Sequence, residues 1–256
     1  LGIQADSVPA NMGLARTLRA LGRNNEALAA VSLALAHNPH DALVRCLEGD
    51  LLSDLGQTER AIASYVCALE IDPHSFVGLT SLGDAQRNLG HFNAALESYS
   101  KAASIHPKVA LLHVKLSNTL HSLGRPDESR RAMARAVELD PNSASVHFNA
   151  GNLYDDLGDF RVAIAHYRRA IAIQPDAQTY NNLGNVQKRL GQLNDAFASF
   201  RLALDVEPDC AEAHCNLGLA LQETGQYEQA LASLQMACQL QPNSALFHCN
   251  IVTVLL

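Results

Sequence analysis

The chain has 256 residues, a net charge of −7, 48% hydrophobic and 5% aromatic content, and no Trp. This hydropathy excludes disorder by composition, and no window approaches eighteen consecutive apolar residues, which excludes a membrane-spanning helix. The acidic balance offers no clustered Lys/Arg footprint for a phosphate backbone, so nucleic acid is excluded as the main ligand. Residues 1–6 carry neither a basic stretch nor an apolar run, so no secretion signal is expected there. Six Cys are scattered without a CxxC pair or a disulfide framework, and read as reduced thiols in the cytoplasm.

A single period organises the elements. Gly22, Gly56, Gly90, Gly124, Gly158, Gly191 and Gly225 recur at steps of 34, 34, 34, 34, 33 and 34. Pro39, Pro73, Pro107, Pro141, Pro175, Pro208 and Pro242 keep the same beat, as do Ala34, Ala68, Ala102, Ala136, Ala170, Ala203 and Ala237. In chain order, residues 1–7 read as the tail of a preceding unit, and full units follow over 8–41, 42–75, 76–109, 110–143, 144–177, 177–210 and 211–244. A further first helix begins at Ala245. Within each unit a leucine-containing helix runs up to the Gly, which ends it in a left-handed conformation. Glu26, Glu59, Glu128, Asp195 and Glu228 then fall in the first turn of a second helix, favoured by the macrodipole. The Pro stops that second helix. Asp41, Ser75, Ser143 and Asp176 stand where they can cap the next one. Each unit is a helical hairpin, and hairpins that bury a face only against their neighbours stack into a solenoid.

Period, helix-turn-helix content and the Gly/Ala/Pro marks resemble the tetratricopeptide repeat (TPR) family. The resemblance implies an all-α fold, a right-handed superhelical solenoid of stacked antiparallel helix pairs, forming a single array over 1–256. The family's small first-helix residue is Gly49, Gly83, Gly151, Gly184 and Gly218, but Ala15 and Ser117 in two repeats. Its second-helix aromatic is Tyr65, Tyr99, Tyr167 and Phe200, with Val31, Met133 and Leu234 elsewhere. Glu48 stands at an ordinarily buried Leu position and Ser129 replaces an Ala, so the second and fourth repeats are expected to pack less well. The last residues stop inside a first helix with its apolar side uncovered. The chain is therefore read as an internal fragment of a longer array, able to self-associate through uncapped ends.

The resemblance places the first helices along a concave groove that takes peptides. Positions five to six and nine of each repeat share one helix face. Position six gives Gly13, Leu47, Ser81, Lys115, Asn149, Asn182, Asn216 and Asn250; position nine gives Arg16, Asp50, Asp84, Asn118, Asn152, Asn185, Leu219 and Thr253. Asn118, Asn149, Asn152, Asn182, Asn185, Asn216 and Asn250 are thus the candidate peptide-binding residues. An Asn amide has the pairing capacity of a peptide bond, and helices about 8–10 Å apart meet an extended chain about every third residue. Phe148, Asp155, Asp156, Lys188 and Arg189 would add specificity. The ladder looks like that of the TPR region of O-linked N-acetylglucosamine transferases. Two readings stay open: a non-catalytic scaffold for a protein or peptide, or the substrate-recognition arm of a larger glycosyltransferase whose catalytic domain lies outside these residues. Asn at these positions also serves as solvated or bridging structure in repeats of this kind.

A carboxylate clamp is disfavoured. Lys115, Asn118 and Asn149 fit in part, but Gln178 and Asn182 stand where the resemblance calls for cations. His214-Cys215 and His248-Cys249 recur one period apart, too far to share zinc, and with His113 and His147 read as packing residues. No catalytic motif occurs, so neither catalysis, a cofactor nor a metal is expected. Arg130, Arg131, Arg135, Arg168 and Arg169 read as a solvated outer face on second helices.

Overall fold

The computed structural model describes residues 7–255, and these form helices and turns without a strand. The partial repeat expected over 1–7 lies, except for Ser7, outside the described residues. Contacts divide the chain into two units, Leu1–Ala136 and Val137–Leu256. The first holds α1 (Val8–Ala20), α2 (Asn24–His37), α3 (Ala42–Asp54), α4 (Thr58–Ile71), α5 (Phe76–Asn88), α6 (Phe92–Ile105), α7 (Ala110–Ser122) and most of α8 (Pro126–Leu139). The second holds α9 (Ala144–Asp156), α10 (Phe160–Ile173), α11 (Ala177–Arg189), α12 (Leu193–Val206), α13 (Ala211–Glu223), α14 (Tyr227–Leu240) and α15 (Ala245–Leu255). Odd-numbered helices are the first helices of the repeats.

The boundaries follow from local chemistry. Asp41 accepts from the amides of Leu43 and Val44, Ser75 from Gly78, Ser143 from Val146 and Asp176 from Thr179, so all four expected caps are formed. Helices α7 and α13 start from Val109 and Cys210 with no side-chain cap. Every first helix of a full repeat closes the same way. At the first, the Gly22 amide donates to the Arg19 carbonyl and the Arg23 amide to the Leu18 carbonyl, both at 2.9 Å, the paired bonds of a Schellman motif. The periodic glycines have φ of 69 to 77°. An L side chain there is strained by about 1–2 kcal/mol, so Gly158→Ala is expected to lower stability by that amount in urea unfolding, although open space surrounds a methyl group at this point.

Within each unit a hairpin packs its second helix on the next first helix, and neighbouring first helices also touch (α3–α5, α9–α11, α11–α13 and α13–α15). The core of each hairpin is one small residue facing one large one. A methyl group built on Gly83, Gly151 or Gly184 would come within 2.5 Å of the ring of Tyr99, Tyr167 or Phe200, all three fully buried. The pairing scales. Gly49, Gly83, Gly151 and Gly184 face rings and Gly218 faces Leu234, while Ala15 goes with Val31 and Ser117 with Met133 in repeats whose core positions are likewise buried.

The fourth repeat is tightly built rather than loose. Ser129 is 0% exposed, and it exchanges bonds with Ser117: each hydroxyl donates to the other residue's carbonyl, at 2.9 and 2.8 Å, with the hydroxyls 3.0 Å apart. Two departures from the repeat pattern therefore compensate each other across α7 and α8. Glu48, the other departure, is half-buried and paired with Arg45 at 3.1 Å.

Candidate functional site: the face of the first helices

Positions two, six and nine of the first helices lie along one face, with position five buried beneath it at Cys46, Val114, Asn181 and Cys215. In the first unit, Arg16, Leu43, Cys46, Leu47, Asp50 and Val77 line a hollow of about 570 Å³. Arg19 crosses it, bridging Asp50 at 2.9 Å and Asp54 at 2.6 Å; the Asp54 hydrogen bond is the main reason its pKa is raised. Burial pushes the Cys46 thiol up to about 11, which keeps it protonated and unreactive; all six cysteines are unpaired. Leu43, Val77 and Leu111, all at position two, are 56%, 43% and 58% exposed. The corresponding second-unit residues are Ser145, Gln178, Glu212 and the exposed Leu246.

In three repeats position nine is tied to the second helix of its own repeat. The Tyr65 hydroxyl donates to Asp50 at 2.8 Å, Tyr99 to Asp84 at 2.5 Å, and Tyr167 to Asn152 at 2.7 Å, each pair 15 residues apart. Burial is the largest cause raising these phenol pKa values, with carboxylates adding to it, so the tyrosines remain donors. Lys115 Nζ pairs with Asp84 at 2.5 Å and is committed inside the repeat stack.

The sequence-predicted asparagines divide as follows. Asn118 is half-buried on α7 in the first unit; the other six lie in the second. Asn149 donates to the Ser145 carbonyl at 2.8 Å. Asn182 donates to Asn152 Oδ1 at 3.1 Å, which thereby accepts from two groups. Asn216 donates to Asn181 at 3.0 Å and Asn250 to Cys215 Sγ at 3.2 Å. Asn149 thus bonds within its own helix, whereas Asn182, Asn216 and Asn250 lace adjacent first helices together through an N–H, and the carbonyls of these three have no partner among the described residues. Of the neighbours singled out in sequence, Arg189 is paired with Asp155 and lies over the Phe160 ring at 4.3 Å. Lys188 pairs with Glu223 at 3.3 Å. A second hollow, about 440 Å³, opens beside Asn181 and Asn182 and is walled by Glu207, Asp209 and Glu212. Sequence reasoning missed both it and the tyrosine–acceptor pairs; the recurrent 15-residue spacing was the available signal for the latter.

The position-four histidines, read from the sequence as packing groups, tie their helices to the preceding turn. Nε2 of His113, His147, His214 and His248 donates to the carbonyl of the Pro six residues earlier, at 3.1, 3.1, 2.9 and 2.8 Å. No three His, Cys, Asp or Glu side chains among the described residues are grouped to hold a metal, and no helix there is long and apolar enough to cross a membrane.

Comparison with known proteins gives the same architecture. A solved tetratricopeptide repeat protein from Parabacteroides merdae matches with a TM-score of 0.75 at 15% identity, over 97% of this chain and 99% of its own. The APC/C hetero-tetramer Cut9–Hcn1 matches at 0.72 and 18% identity over 94% of this chain, which spans 48% of that one. MamA matches at 0.57 and 25% identity, over 63% of this chain and 95% of its own. No curated protein sequence matches. Family models described as tetratricopeptide repeat match residues 12–76, 78–109, 108–176 and 176–243, one of them alone over more than half of the chain. The repeat period, the glycine-ended first helices, the small-against-large hairpin cores and these matches have one meaning: the chain belongs to the tetratricopeptide repeat family.

Proposed function

We propose that this chain is a non-catalytic interaction scaffold, and that the first-helix face of its second unit holds an extended polypeptide segment. The observation that carries the reading is the row Asn182, Asn216 and Asn250, whose amides are oriented by one internal N–H bond each while their carbonyls stay available. An amide held in place loses less freedom on binding than a loose one, and its carbonyl accepts a peptide N–H whatever the side chain, so binding is sequence-tolerant. That the Cut9–Hcn1 structure is a hetero-tetramer supports a protein partner. The six unpaired thiols support the cytoplasm. The same asparagine row supports a role as the substrate-recognition arm of a larger glycosyltransferase, which requires a catalytic domain elsewhere in the protein.

The test is a peptide array probed with wild type and with Asn149→Ala/Asn182→Ala/Asn216→Ala, both checked for helicity by circular dichroism. Broad wild-type binding that weakens at least tenfold in the folded triple variant is the expected outcome, since each lost hydrogen bond contributes about 0.5–1.5 kcal/mol. Equal binding by both proteins would refute the asparagine reading.

A further inference from the structure

The position-four histidines donate from Nε2 to a proline carbonyl, which leaves Nδ1 of the neutral ring without a proton. On the second helix, 19 residues after His147, stands His166; at the same place after His113 and His214 stand Ala132 and Ser233. The repeat built from α9 and α10 therefore brings together two imidazoles where those two repeats have one. Their Nδ1 atoms are 2.9 Å apart, with ring centroids 5.2 Å apart and planes at 32°. Two nitrogens bound at right angles to one ion, each at 2.0–2.1 Å, are also about 2.9 Å apart. The pair thus has the spacing of two neighbouring metal ligands, and turning the rings on their side-chain torsions aims both lone pairs at one ion.

We propose that His147 and His166 form a binding site for a divalent transition-metal ion of the nickel, copper and zinc class, held by the two Nδ1 atoms and completed by water. Imidazole nitrogen suits these ions, whereas Mg²⁺ and Ca²⁺ take oxygen. The surroundings fit the role. His147 is buried, and its Nε2 bond to the Pro141 carbonyl is the kind of outer contact that fixes the tautomer and ring direction of a metal-binding histidine. His166 is stacked on Tyr154 with the planes 1° apart, and it is half-buried, so solvent reaches it. Burial, then His147, holds the His166 pKa down, which reduces competition from protons. No third His, Cys, Asp or Glu is grouped with the pair among the described residues, so water fills the other positions. On binding, the Nδ1 proton of His166 leaves and Nε2 of that ring takes one up. Both ligands stay neutral, and the ion ties α9 to α10 in place of the hydrogen bond.

Isothermal titration calorimetry with nickel chloride, on proteins checked for helicity by circular dichroism, tests this. Wild type is expected to take up one more equivalent of Ni²⁺ than His166→Phe at the same concentrations. Affinity at that equivalent falls at least about tenfold in the variant, since losing even a ligand's orienting partner costs about 10–100-fold. Saturating Ni²⁺ raises the melting temperature of wild type more than that of His166→Phe, because the ion binds the folded pair. Ala132→His supplies the missing partner of His113, whose Nε2 is anchored on Pro107 in the same way, and adds a further equivalent. Identical titrations of wild type and folded His166→Phe would overturn the site and assign any uptake to other histidines or thiols. No uptake by wild type would overturn it outright. Folded Ala132→His that gains no equivalent would overturn the claim that this pair of positions makes the site.

Discussion

Phe200→Ala is expected to lower the unfolding free energy by about 3–5 kcal/mol, the range for emptying a buried aromatic site, read by urea unfolding. Phe200 is fully buried between α11 and α12 and belongs to the cluster that includes Leu217, Ala220 and Leu221 of α13, so the cavity opens where two repeats meet. The opposite error is also costly. Gly184→Ala pushes a methyl against the Phe200 ring, an overpacking expected to cost about 1–3 kcal/mol. Combining it with Phe200→Leu should recover part of that loss, since the chain itself pairs Ala15 with Val31 where the ring is absent. The residues touch, so a double-mutant cycle should give a coupling of about 0.5–3 kcal/mol. Strict additivity would mean that the small-against-large pairing is incidental.

The second large effect comes from the His147–His166 pair joining α9 and α10, whose Nδ1 atoms lie 2.9 Å apart. His147 donates from Nε2 to the Pro141 carbonyl, so its Nδ1 is the acceptor and His166 donates from Nδ1. The His166 ring also stacks on Tyr154 at 5.5 Å. Burial, then the neighbouring His147, lowers the His166 pKa. A histidine depressed in the folded state binds fewer protons there than in the unfolded chain. Its neutral form therefore favours folding above the unfolded value of about 6.5, and that advantage is lost as pH falls from there toward the folded value. Melting temperature is expected to drop on acidification from about pH 7.5 to 5.5, and His166→Phe should flatten the profile. His147→Ala strands the His166 donor and costs about 1–3 kcal/mol at neutral pH. A profile unchanged by His166→Phe would assign the acid sensitivity elsewhere.

Much of this was legible in residues close together in the chain. The turn glycines are local, because positive φ is a property of one residue, and all seven are where the period puts them. The caps at Asp41, Ser75, Ser143 and Asp176 are set by bonds reaching only two or three residues. Reading Ser129 alone, by contrast, suggests a packing defect. Its compensation by Ser117 twelve residues earlier appears only when α7 and α8 face each other.

The candidate site divides the same way. The periodic sequence by itself determined that asparagines recur at positions six and nine, because a fixed helix period puts equivalent residues on equivalent faces. Which atoms those asparagines spend on one another was decided by the packing of helices from different hairpins. Hydrogen bonds of a few ångströms between residues 30 to 35 positions apart depend on where whole helices come to rest, and a repeat period carries no such distance.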